Sequence, residues 1–185
     1  MKQIDINDNN VLAEAENINS SIVGLAVDYL TRFVIEAPAE RAFAFSLAGA
    51  KFAEIHGQKK AFKEANKYLK NIRGIDKKSI INACKIVTFD VWFRSTITAP
   101  SVKTASDTNP NADTVRNIQI MVNRSICFWQ KYGPITKDGF TFKPSGYPDV
   151  VDCGDGDYLT EDTLWDFKVS KNKPRSNQTL QLLMY

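Results

Sequence analysis

The chain has 185 residues, 43% of them hydrophobic and 24% charged, with a formal net charge of +3. This is an ordinary globular composition, long enough for one sizeable core or for a small catalytic unit with a helical extension. The mild basic bias is compatible with a nucleic-acid partner without requiring one. No apolar run approaches the ~20 residues of a membrane helix, and the polar start MKQIDINDNN does not read as a signal or transit peptide. Cys84, Cys127 and Cys153 are widely spaced and lack companions, so they read as free thiols in a reducing cytoplasm rather than as a disulfide frame or zinc site.

In chain order, Ser20 and Ser21 are placed to cap a first helix carrying Ile22, Leu25, Ala26, Tyr29, Leu30 and Phe33. Pro38 suits the first turn of a second helix with Phe43, Phe45, Leu47, Ala50 and Ile55. A third spans roughly Lys59 to Ile72, with Lys59, Lys60, Lys63, Lys67, Lys70 and Arg73 opposite Phe62, Ala65, Leu69 and Ile72. That is the solvated side of an amphipathic helix, with a DNA-tracking ridge as the second reading. A fourth begins near Asp76 and runs through Trp92. The Ser-, Thr-, Asn- and Pro-rich stretch from Thr96 to Asp113 is a linker candidate, and a fifth helix follows from Asp113 to Lys131.

The pattern changes at Tyr132-Gly133-Pro134. Strands are expected at Phe140–Phe142, Tyr147–Cys153 and Thr163–Val169, with a polar loop centred on Gly154-Asp155-Gly156-Asp157 between the last two. The acidic residues of that region (Asp152, Asp155, Asp157, Glu161 and Asp162) lack the pattern of a calcium loop. They read as a solvated hairpin turn away from any nucleic acid. A last helix begins near Ser176. Helices first and a small sheet last make the fold class α+β.

Residues i and i+2 of a strand share a side, so Asp166 and Lys168 would point one way and Phe167 into the core. If the strand carrying Asp149 pairs with this one, two carboxylates and a lysine converge. Hard divalent cations take oxygen ligands of this kind, and a neighbouring lysine can hold water or phosphate.

Pro148-Asp149 followed by Asp166-Phe167-Lys168 resembles the signature of the PD-(D/E)XK nucleases. The surroundings resemble the branch that includes RecB-type exonucleases. Gly146 precedes the first aspartate, Val169-Ser170 follows the lysine, and Gln181 and Tyr185 form a Gln-x-x-x-Tyr helix pair. The resemblance spans about Phe140 to Tyr185. The helical pattern makes residues 1–110 a helical region, and the resemblance implies a restriction-endonuclease-type core (αβββα) over 111–185 that hydrolyses DNA phosphodiesters. It implies Mg²⁺ or Mn²⁺ held by Asp149, Asp166 and the carbonyl of Phe167, water positioned by Lys168, and Gln181 and Tyr185 lining the site. Lys171, Lys173 and Arg175 would contact phosphates beside it. The branch often adds a histidine or glutamate from an early helix; His56 is the first candidate, ahead of Glu54 and Glu40. The family fold continues past the glutamine helix, so the core is expected to be truncated, a fragment, or completed by the helices or a second subunit, including a homo-oligomer.

Two other classes stay open: a catalytically silent nucleic-acid-binding or assembly subunit, and a helical interaction protein, for example from a phage or defence system. No phosphate-binding loop, dinucleotide fingerprint or nucleophile elbow is present in the sequence.

Overall fold

The computed structural model describes residues 8–35, 37–95, 99, 103–143, 151–169, 175–177 and 179–180. The protein is α+β: helices fill the first part and a three-stranded antiparallel sheet lies in the last. It divides into two compact units, residues 1–127 and 128–185, with the boundary inside the longest helix. No helix among the described residues is long and apolar enough to cross a membrane.

The first unit contains α1 (Ser20–Val34), the single turn α2 (Ala39–Ala42), α3 (Ala44–Ile55), α4 (Ala61–Leu69), α5 (Lys77–Ile86), a 3-10 turn (Val87–Phe89), the short α6 (Asp90–Arg94) and most of α7 (Ala112–Tyr132). Helix α1 starts where expected, but its cap is Asn19, whose side chain accepts the Ser21 amide at 2.8 Å; Ser20 is already helical. Asp76 caps α5 through the amides of Lys78 and Ser79. The helix expected after Pro38 breaks at Phe43, whose ring is fully buried edge-on to Tyr29, centroids 5.5 Å apart. Gly49 lies directly against the backbone carbonyl of Phe89, so α3 and the 3-10 turn approach more closely than any side chain would allow.

The core of this unit holds Tyr29, Leu30, Phe43, Ile80, Ile86 and Ile118. One carboxylate is sunk into it. Asp90 is 1% exposed and accepts hydrogen bonds from the Tyr29 and Ser46 hydroxyls. Burial pushes its carboxyl up to about 6, with these two donors working against the rise.

Ahead of α1 an irregular segment is fastened to α7 by polar side chains. Asn117, fully buried, accepts the Ala13 amide at 2.8 Å and donates to the Ala13 carbonyl and the Glu16 carboxylate at 2.8 and 2.7 Å. The Asn17 side chain accepts from the Asn111 amide and donates to the Asn109 carbonyl. Arg124 grips Asp8 with two guanidinium nitrogens at 2.9 and 3.1 Å, holding that carboxyl well below the usual carboxylate range. Part of the expected linker is therefore an anchored loop.

The second unit holds the end of α7 and strands β1 (Lys137–Phe142), β2 (Gly154–Leu159) and β3 (Leu164–Trp165), in the order β1-β2-β3. The stretch expected as a polar loop is thus the central strand. Its Gly154, Gly156 and Tyr158 are buried, while Asp155 is exposed and Asp157 half-buried. Gly156 pairs with Phe140, whose ring covers it where a Cβ would otherwise stand. Of the strand expected over Tyr147–Cys153, residues 151–153 are irregular and 147–150 lie outside the described residues. Phe128, Trp129, Tyr132, Tyr158, Trp165 and Phe167 form an aromatic cluster, with Trp129–Tyr158 at 4.7 Å and Phe128–Trp165 at 5.2 Å.

Candidate functional site

The two-residue turn Glu161-Asp162 closes the β2–β3 hairpin. Leu159 pairs with Leu164 and Tyr158 with Trp165. Continuing this register by one residue sets Asp157 opposite Asp166. There the ladder stops: the Phe167 amide donates to the Asp157 carboxylate at 2.7 Å. The backbone carrying the Asp-x-Lys triplet is therefore held by a side chain.

Beyond that point Asp166 and Lys168 lie on one side. Lys168 Nζ donates to Asp166 Oδ1 at 2.6 Å, with the lysine side chain 42% exposed and the aspartate 9%. Oδ2 of Asp166 accepts no hydrogen bond among the described residues. Phe167 turns the other way, its ring 5.8 Å from that of Tyr158. The ion pair is half in water, so it contributes at most about 1 kcal/mol of stability and can be remade with another partner.

The donors on this segment (the Asp166 carboxylate, the Phe167 carbonyl and the neighbouring Asp157 carboxylate) are all oxygens, which suits a hard cation rather than zinc. Among the described residues no group of three or more His, Cys, Asp or Glu is gathered for a metal. Asp149, Lys171, Lys173, Gln181 and Tyr185 lie outside the described residues. Of the last helix, Ser176, Asn177, Thr179 and Leu180 are helical, and Arg175 just before them is exposed; its carbonyl accepts the Thr179 amide. His56 belongs to the first unit. It is exposed at the end of α3, with Nδ1 2.8 Å from the Phe52 carbonyl and its ring 5.9 Å from that of Trp92.

Sequence reasoning put Asp157 in a solvated turn and missed its place beside Asp166. The signal was the symmetry of Tyr158-Leu159 and Leu164-Trp165 about Glu161-Asp162, which marks a tight hairpin and fixes the register. Comparison of the chain with protein-family models, curated proteins and solved structures returns no match.

Proposed function

We propose that the second unit is the catalytic core of a metal-dependent deoxyribonuclease of the PD-(D/E)XK type. The observation that carries this reading is the placement of Asp166 and Lys168, side by side at the end of β3, behind a helix and an antiparallel β1-β2-β3 meander. A helix followed by three antiparallel strands is the order that the resemblance implies, although the second strand is Gly154–Leu159 rather than the expected Tyr147–Cys153.

In this reading Asp149, Asp166 and the Phe167 carbonyl hold Mg²⁺ or Mn²⁺, which supplies charge neutralisation at the scissile phosphate. Asp166 offers Oδ2 while Lys168 occupies Oδ1. Lys168, as an ammonium on a partly exposed side chain, orients water against the phosphorus and meets the charge that develops there. Asp157 fixes the Phe167 peptide and with it the direction of that carbonyl. Gln181, Tyr185, Lys171, Lys173 and Arg175 bind the substrate strand.

The test is cleavage of linear and circular DNA in Mg²⁺ or Mn²⁺ by the parent chain and by Lys168→Ala. Cleavage lost in the variant supports the reading. Salt-dependent DNA binding without cleavage in any metal points instead to the silent binding subunit, which keeps the same residues without the chemistry.

A further inference from the structure

The basic charge of the chain is concentrated in one place. From Lys51 to Lys85 there are ten Lys and Arg against three acids, a net of +7, whereas the whole chain nets +3. Each of the three acids is engaged in shaping the backbone or a tyrosine. Glu54 accepts the Phe62 amide at 3.1 Å, Glu64 accepts the Tyr68 hydroxyl at 2.6 Å, and Asp76 caps α5. Among the described residues none of the ten cations forms an ion pair.

Lys60, Lys63, Lys67 and Lys70 are exposed and recur at three- and four-residue spacing, opposite the buried Ala61, Ala65 and Leu69 of α4. The stripe runs about 15 Å along the helix. Lys51 of α3 reaches over the Phe62 ring at 5.0 Å and Lys85 of α5 over Tyr68 at 5.9 Å, so the neighbouring helices add charge on either flank. Along this face like charges stand at i, i+3 and i, i+4, and the one acid within the helix, Glu64, is bonded to the Tyr68 hydroxyl rather than to a lysine. Such a row is self-repulsive in the free protein and is stabilised by a polyanion that replaces the repulsion with phosphate contacts and released counterions.

We propose that the α4 stripe, flanked by Lys51 and Lys85, is a phosphate-backbone binding surface for double-stranded DNA, separate from the residues assigned to the cleavage site. The choice of DNA as the polyanion rests on the nuclease reading; the unpaired charge does not. Binding here is sequence-independent and needs no metal.

The experiment measures fluorescence-anisotropy binding of a short labelled duplex, in EDTA, across a NaCl series, using the full chain with Lys168→Ala so that nothing is cut. The combined Lys63→Gln, Lys67→Gln, Lys70→Gln variant should weaken binding and reduce the slope of log K against log salt by about 0.9 per lost contact, up to about 2.7. The same three changed to Arg should keep the slope. Lys103→Gln, Arg116→Gln, Lys131→Gln, an equal loss of charge elsewhere, should leave the slope within about one contact of the parent. All substituted side chains are exposed and helix-tolerated, and circular dichroism checks the fold. Equal losses from both glutamine triples, an unchanged slope in the α4 triple, or binding to phosphatidylserine vesicles but not to the duplex would each overturn the proposal. Binding that follows the expected pattern in a chain that never cuts DNA would uphold this surface while the cleavage reading fails.

Discussion

The carboxylate of Asp157, one residue past the last rung of the β2–β3 ladder, accepts at 2.7 Å the backbone amide of Phe167, two residues past it on the other strand. A side chain thus does what the next strand pair would do, and it leaves the Asp166-x-Lys168 backbone free of the sheet. Asp157→Ala is expected to lower apparent Mn²⁺ affinity and cleavage by about 10- to 100-fold, the scale found for residues that orient metal ligands. Asp157→Asn, which keeps an acceptor, should recover most of that loss. A purely structural role would lower the melting temperature of both variants and leave the metal titration unmoved.

Asp90 gives the helical unit its own dependence on acidity. Its folded pKa, raised to about 6, lies above the ordinary aspartate value. At a pH between the two, the folded chain keeps a proton that the unfolded chain releases, so this group favours folding below the ordinary value and loses that contribution as pH rises through about 6. The displacement corresponds to about 3 kcal/mol. Asp90→Asn should therefore gain stability relative to the parent at pH 7 and lose that advantage near pH 4. Urea midpoints of both chains at the two pH values measure the difference.

Gly49 is the tightest point between α3 and the 3-10 turn. A methyl group there meets the Phe89 carbonyl, and backbone, unlike a flexible side chain, cannot step aside cheaply. Gly49→Ala should cost at least about 2 kcal/mol and lower the melting temperature by roughly 5 °C or more, despite alanine's better helix propensity. Gly156→Ala meets only the Phe140 ring and is expected to cost less.

Asn117 ties the segment before α1 to α7 through three hydrogen bonds. Asn117→Ala leaves the half-buried amide and carbonyl of Ala13 without their partner, a cost of about 1 kcal/mol. Limited proteolysis should then cut between Asp8 and Asn19 at protease concentrations that leave the parent intact. Arg124→Ala should produce a milder version of the same cutting pattern, since it loosens only the Asp8 end.

The helices were legible because their buried residues recur at helical spacing: Ile22, Ala26, Tyr29 and Leu30 in α1, and Ala61, Ala65 and Leu69 in α4. The α+β class followed from where that spacing ceases. Strand β2 was illegible because Gly154, Asp155, Gly156 and Asp157 have loop composition; only Phe140, contributed by another strand, makes glycine the right residue at 156. Asp90 and Asn117 were hidden for a related reason. A buried polar residue is satisfied by partners distant in sequence, Tyr29 and Ser46 for one and Ala13 and Glu16 for the other, and no local pattern announces them. At the candidate site, Asp166 and Lys168 share a side as strand alternation led one to expect, although the strand expected over Thr163–Val169 ends at Trp165; Asp157 required the hairpin register.

The aromatic cluster also makes the second unit optically distinct. Of the chain's three tryptophans, Trp92 belongs to the helical unit, while the indoles of Trp129 and Trp165 lie 5.7 Å apart, nearly perpendicular, in the sheet unit. Rings this close couple their strong transitions, so the pair is expected to contribute an exciton circular dichroism couplet on top of the ordinary indole bands. Trp165 is followed immediately by Asp166, so a change at the Asp166–Lys168 contact is expected to register in the signal of this pair without any label.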